Sequence, residues 1–242
     1  MKMRVKNAAR SVLVFLGTLA LSAAAVAADK PPEFSPEGLK LTKSTRSTIV
    51  YVREGASLDP YSKVALLDCY VAFKKNWARD YNRESMGVSR DVTTEDMERI
   101  KTGLAEMFRE VFTEELQDKG GYAMVDKAAE DVLVIRPAII DLDVTAPDLK
   151  NASRSRTAVA SAGEMTLYME LLDSATGDLI ARIIDAEGDD RNGFVMAANE
   201  VTNKAEARRI IRGWAKQLRE HMRDLDATTT AKEKTAAKKK AD

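Results

Sequence analysis

The chain has 242 residues, with 38 basic and 38 acidic side chains, one cysteine and one histidine. That inventory is too poor for the usual zinc ligand sets or for an internal disulfide. The zero balance also hides an asymmetry. The first 28 residues hold four basic side chains and no acid, leaving 34 of the 38 basic residues against all 38 acidic ones, and such an acidic body argues against nucleic acid as a partner.

Lys2, Arg4, Lys6 and Arg10 form a cationic start, Ser11 to Ala24 is an apolar run, and Ala25-Val26-Ala27 supplies small residues. This order predicts a secretory signal peptide over residues 1–28, cut after Ala27 or Ala28, and a mature protein in the periplasm. The apolar run is shorter than the roughly 20 residues a permanent span needs, so no permanent membrane span is expected after cleavage. No cysteine lies near the junction, so the expected product is not lipid-anchored.

Residues 29–47, with Pro31, Pro32, Pro36 and Gly38, read as an extended leader. Residues 48–226 are expected to form a single α/β domain. Residues 227–242 carry five lysines against Glu233 and Asp242 and read as a disordered tail able to touch anionic surfaces.

Within the domain, Thr48–Val52 and Lys63–Lys74 have the composition of half-buried strands. Met97, Ile100, Leu104, Met107, Phe108, Val111, Phe112 and Leu116 recur at three- and four-residue steps, which predicts a helix over 94–119. Thr93 with Asp96 offers an N-terminal cap, and Gly120-Gly121 a left-handed stop. Strands follow at 121–125 and 131–145, where Pro137 suggests an edge or bulge. Two more strands, 164–172 and 179–187, flank the turn-rich Asp173–Asp178, and Met165, Leu167, Met169 and Leu171 should share one face. A second amphipathic helix runs over 202–225, with Ala207, Ile210, Ile211, Trp214, Leu218, Met222 and Leu225 on its apolar side. The expected fold class is α+β, a mostly antiparallel sheet of about six strands with two amphipathic helices packed on one face.

The strand at 63–74, the helix-to-strand join Phe112–Leu116 and Gly120–Val125, the strand 131–143 and the hairpin Met165–Asp173 with Thr176-Gly177 carry a family likeness. Through them the chain resembles domain-of-unknown-function family 3313 (DUF3313), uncharacterised proteobacterial envelope proteins. The resemblance implies an envelope compartment and an α/β fold, and leaves the activity open. Many members look like lipoproteins, and this sequence departs from them in lacking an acceptor cysteine at the signal junction.

Catalytic readings find little support. Nucleophilic catalysis needs a nucleophile with a base in reach, and only Cys69, in an apolar run, and His221, flanking the second helix's apolar side, are on offer. Asp141 and Asp143 share one side of their strand, without clustered aromatics to stack a sugar, and read as solvent-face residues near a strand end. The acidic loop 185–192 departs from a calcium-hand loop at its sixth and twelfth positions, which hold Asp190 and Met196, and a solvated loop is the simpler reading. No Gly-rich phosphate cradle is present. No catalytic, metal or cofactor site is therefore expected.

Two segments favour binding instead. Trp77, Arg79, Tyr81 and Arg83, read as a loop or strand extension, are residue types enriched at interface hot spots, although Trp77 also suits a core cap. Arg154 and Arg156 lie in a small-residue loop that could hold an acidic partner. The leading expectation is a non-enzymatic binding or assembly module with an envelope protein partner; the alternative is a small-ligand or lipid carrier.

Overall fold

In the computed structural model the described residues are 30–85, 91–144, 157–159, 163–188, 196–198 and 204–223. The chain divides into two units, Met1–Lys30 and Pro31–Asp242; every element below belongs to the second. The signal segment, with Ala27 and Ala28, and the lysine-rich tail lie outside the described residues.

The strands are β1 (Lys40–Ser44), β2 (Thr48–Val52), β3 (Lys63–Leu66), β4 (Tyr70–Phe73), β5 (Ala123–Met124), β6 (Val132–Val144), β7 (Thr157–Val159), β8 (Gly163–Asp173), β9 (Leu179–Gly188) and β10 (Met196–Ala198). The helices are α1 (Trp77–Glu84), α2 (Thr94–Thr113), continued by one π-helical turn Glu114–Asp118, and α3 over residues 204–223. The fold is α+β. Among the described residues the main sheet has eight strands in the order β1-β2-β9-β8-β6-β3-β5, with β4 also beside β6, while β7 and β10 pair with each other.

That sheet is mixed rather than mostly antiparallel. β1, β2, β9, β8 and β6 run antiparallel to their neighbours, whereas β3 and β4 pair parallel with β6, and β5 pairs parallel with β3. The cause lies in the connections. α1 and α2 intervene between β4 and β5, a crossover of the length that parallel pairing requires. The expected leader is also more structured than its proline content suggests, since it contains β1 and a bridge between Phe34 and Lys40.

The strand expected over 63–74 is two strands, separated at Leu67–Cys69, and the break lies opposite Pro137. β6 is central, flanked by β8 on one side and by β3 and β4 on the other, so Pro137 stands at neither an edge nor its bulge. The Ile135 carbonyl accepts from the Leu67 N–H at 3.0 Å. By strand alternation the nitrogen of residue 137 faces the same neighbour, where β3 has ended at Leu66 and β4 has yet to start at Tyr70. A residue without an N–H costs no ladder bond there.

One face of the sheet holds the core. Met165, Leu167, Met169 and Leu171 alternate inward along β8 as expected. They join Leu133, Ile135 and Ile139 of β6, Leu104, Phe108, Val111 and Phe112 of α2, and Ile210, Ile211, Trp214, Leu218 and Met222 of α3 in one apolar cluster. Phe108 and Phe112 stack with ring centroids 4.0 Å apart. α2 starts at the expected capping box, Thr93 accepting from the Asp96 N–H and Asp96 accepting from the Thr93 N–H. It stops at the expected glycines. Gly121 has φ +80°, and a Cβ on Gly120 would lie 2.4 Å from the Leu116 carbonyl oxygen.

Candidate functional site

The sheet face opposite α2 and α3 carries a row of charged and aromatic residues. Antiparallel register sets Leu41 beside Tyr51, Tyr51 beside Arg182, Arg182 beside Glu170, and Glu170 beside Arg136. Side chains on these strands alternate between faces with period two, so the row crosses five strands away from the core. Next to it runs a second row, Tyr70, Ala138, Tyr168, Ile184 and Ile49.

Glu170 is the hinge of the charged row. Its side chain is 4% exposed, and one carboxylate oxygen accepts from Arg136 Nε at 2.8 Å and from the same guanidinium's Nη2. The other accepts from Arg182 Nη2 at 2.8 Å and from the Tyr168 hydroxyl at 3.1 Å. Burial by itself would push this carboxyl up; hydrogen bonds from Arg182 and Arg136 outweigh that and hold it below its ordinary value. Burial also raises Tyr168, to about 12, with the Glu170 charge adding to the effect. The Arg182 guanidinium lies 5.4 Å from the centre of the Tyr168 ring.

The outer side of Arg182 meets Glu37 in a two-pronged pair at 2.8 and 2.9 Å. Glu37 belongs to a strap, residues 31–39, folded over this end of the sheet. Its other anchors are the fully buried Leu39 and a 3.0 Å hydrogen bond from the Tyr51 hydroxyl to the Pro32 carbonyl. The hydrogen bonds from Arg182 bring the Glu37 carboxyl down to about 2. Farther across the same face, Tyr70 is 58% exposed and Leu67, in the break between β3 and β4, is 44% exposed.

The residues singled out from sequence fall elsewhere. Trp77, Arg79, Tyr81 and Arg83 form α1, a helix rather than a loop or strand extension. Lys74, Asn76 and Asp80 start its turn locally, the Asp80 N–H donating to the Asn76 carbonyl and the Trp77 N–H to that of Lys74. Trp77 is 6% exposed, stacks on Phe73 at 4.3 Å and on Tyr81 at 5.7 Å, and caps a small second cluster with Val92. Arg79 and Arg83 remain at the surface, both paired with Asp80. Arg154 and Arg156 lie outside the described residues.

The remaining candidates divide between residues found where the sequence puts them, Cys69 and His221, and one that is not, Asp185. A bulge at Asp141, which has φ +51°, shifts the register of β6 between Ile140 and Asp143. Asp143 pairs with Lys74 at 3.2 Å; its hydrogen bond and charge raise this lysine, and the Asp141 charge adds to them. Asp185, expected in a solvated loop, is buried in β9 and accepts from the Trp214 indole N–H at 2.8 Å. Burial pushes the Cys69 thiol up to about 12, against the thiolate that nucleophilic attack requires. His221 is exposed on α3, with Nδ1 2.8 Å from the Gln217 carbonyl oxygen. No helix among the described residues is long and apolar enough to cross a membrane.

The fold thus defines an α+β domain with its apolar core on one side of a mixed sheet and a charge-paired row on the other. A family model, protein of unknown function (DUF3313), matches residues 34–218, and the chain belongs to that family. No curated protein matches it in sequence. Among solved structures it is similar to a PelC dodecamer from Paraburkholderia phytofirmans, at 13% identity and TM-score 0.36 over 70% of this chain and 96% of that one. It is also similar to a PDZ domain protein from Parabacteroides distasonis, at 12% identity and TM-score 0.36 over 71% of this chain and 35% of the other.

Proposed function

We propose that this protein is exported by its N-terminal signal and works in the periplasm as a non-enzymatic binding or assembly module of the cell envelope, held to its partner noncovalently. The observation that carries the reading is the exposed Tyr70 and Leu67 on the sheet face away from both core helices, beside a row whose charges are already paired. Large apolar and aromatic groups held on a rigid sheet favour protein contacts. The cationic start, the apolar run and the small residues near Ala27 support export. The one cysteine is a core residue at position 69, which supports a noncovalent attachment.

Photo-crosslinking in cells from an amino acid placed at position 70 tests the proposal. An adduct with another envelope protein is expected; a chain recovered only as an uncrosslinked monomer in the periplasmic fraction overturns it. A retained small molecule in native mass spectrometry of the purified protein would favour the carrier reading instead.

A further inference from the structure

We propose that the strap, residues 31–39, is a built-in occupant of a peptide groove on the sheet face, and that the groove accepts a turn-forming acidic segment with glutamate two positions before an apolar residue. This deepens the binding-module reading and rests on it.

The strap is held the way a bound peptide is held. Glu37 meets the guanidinium of Arg182 through two parallel N–H···O bonds at 2.8 and 2.9 Å, the arrangement by which arginine selects a carboxylate. Arg182 is itself fixed from behind by Glu170 at 2.8 Å, and its side chain is only 11% exposed, so the fork is preorganised. Two residues on, Leu39 is fully buried, and Gly38 between them has φ +80°, the turn that lets one segment present both groups to the sheet. The Ser35 hydroxyl stabilises that turn, donating to Glu37 at 2.9 Å and accepting from the Leu39 N–H at 3.2 Å. Glu33, Phe34, Pro36, Glu37 and Gly38 are exposed. Besides the carboxylate, the leucine and the Pro32 carbonyl, the strap is held by a bond from the Leu41 N–H to the Glu33 carbonyl at 2.8 Å and by the bridge between Phe34 and Lys40, both to the start of β1 rather than to the charged row.

A largely exposed segment beside an outer strand opens locally at lower cost than the core does. Opening would free the Arg182 fork, the seat of Leu39 and the hydroxyl of Tyr51, continuous through Tyr168 with the exposed Tyr70. Charge complementarity then sets the occupant, because the freed arginine, backed by a buried glutamate already shared with Arg136, takes an anionic carboxylate. In the closed state the tethered strap competes at an effective concentration in the millimolar range, so a free peptide is excluded until the strap is weakened.

The test uses the mature full-length chain and a fluorescent synthetic peptide with the sequence of residues 31–41, PPEFSPEGLKL. In the Glu37→Arg variant the strap's own charge is repelled by Arg182, and anisotropy should show the peptide binding at least tenfold more tightly than to the unaltered protein. The same peptide with the glutamate at the Glu37 position, and not that at the Glu33 position, changed to arginine should bind that variant at least tenfold more weakly. Near-UV circular dichroism checks folding, and Glu37→Gln, which removes the charge without repulsion, replaces the arginine variant if that one unfolds. Equal peptide binding by a folded variant and the unaltered chain, or no discrimination between the two peptides, overturns the groove. Crosslinks from position 70 that persist in that case would leave the binding-module reading standing.

Discussion

Asp185 of β9 accepts the indole N–H of Trp214 at 2.8 Å, and this bond fastens α3 to the sheet from within the apolar core. The second carboxylate oxygen accepts from the Thr48 hydroxyl at 2.5 Å, so a single buried acid ties α3, β9 and β2 together. Removing one partner of such a bond leaves the other buried and unsatisfied, at a cost of about 1–3 kcal/mol. Asp185→Ala should therefore lower the unfolding free energy by that much, read as a lower urea midpoint at unchanged slope, with tryptophan fluorescence shifting to the red in the native baseline. Asp185→Asn, which can still accept from the indole through its carbonyl, should lose less. Equal losses for the two would remove the hydrogen bond as the cause.

The acid sensitivity of the strap follows from Glu37. Its folded carboxyl titrates near 2 against an ordinary value of 4.5. Between these values the unfolded chain binds a proton that the folded chain does not, so stability from this pair is present above about pH 4.5 and is lost as pH falls toward 2. Because the Glu37 side chain is 45% exposed, solvent screening keeps the contribution of the order of 1 kcal/mol or less. Amide exchange of residues 31–39, normalised to the intrinsic rate at each pH, should speed up on acidification from pH 5 to pH 3, and Glu37→Gln should flatten that dependence. A strap that exchanges at the same normalised rate at both pH values would contradict the assignment.

Much of this fold was legible in the sequence because its signals are local. The capping box at Thr93 and Asp96, the glycine stop and the alternation of Met165, Leu167, Met169 and Leu171 each need only a few neighbouring residues. Strand direction was not legible, since parallel pairing of β3 and β4 with β6 depends on a crossover through α1 and α2. The charged row was missed for a related reason. Arg136, Glu170 and Arg182 each appear as a lone charge inside an apolar strand, VLVIRPAII, LYMELL and LIARII. Only the register shows that the three charges meet, though the recurrence of one buried-strand charge in each of three neighbouring strands was a signal available to be read. Trp77 misled for the opposite reason: an aromatic among arginines resembles an interface, yet here it turns inward on Phe73.

Cys69 should be chemically quiet. The residue is 9% exposed and its thiol is pushed up to about 12 by burial, and alkylation requires both access and thiolate. Iodoacetamide at pH 8 should modify the native protein at least a hundredfold more slowly than the urea-unfolded chain, as read by mass spectrometry. Rapid native labelling would show that the break between β3 and β4 opens to solvent.

The last prediction separates two adjacent acids at the end of α2. Glu115, in the π-helical turn, has a side chain only 3% exposed, and it accepts from Arg219 Nη1 and from Lys119 Nζ at 2.6 Å each. Glu114, one residue earlier, is 37% exposed and pairs with Lys119 at 2.8 Å and Arg212 at 3.5 Å. The two look alike in sequence but differ in what surrounds them. A buried ion pair broken on one side leaves its partner's charge desolvated, which typically costs about 3–5 kcal/mol, whereas exposed pairs are screened. Arg219, with a side chain only 13% exposed, is the partner stranded when Glu115 is lost. Glu115→Ala should lower the urea midpoint strongly and loosen α3 from α2, while Glu114→Ala should leave the midpoint close to that of the unaltered protein. Raising the salt from 0.05 to 0.5 M should shift the Glu114 pair's contribution and hardly touch that of Glu115. If both alanine variants melt together, burial at this turn is not what distinguishes them, and the link between α2 and α3 must be carried by the apolar contacts of Leu116, Ala215 and Leu218 instead.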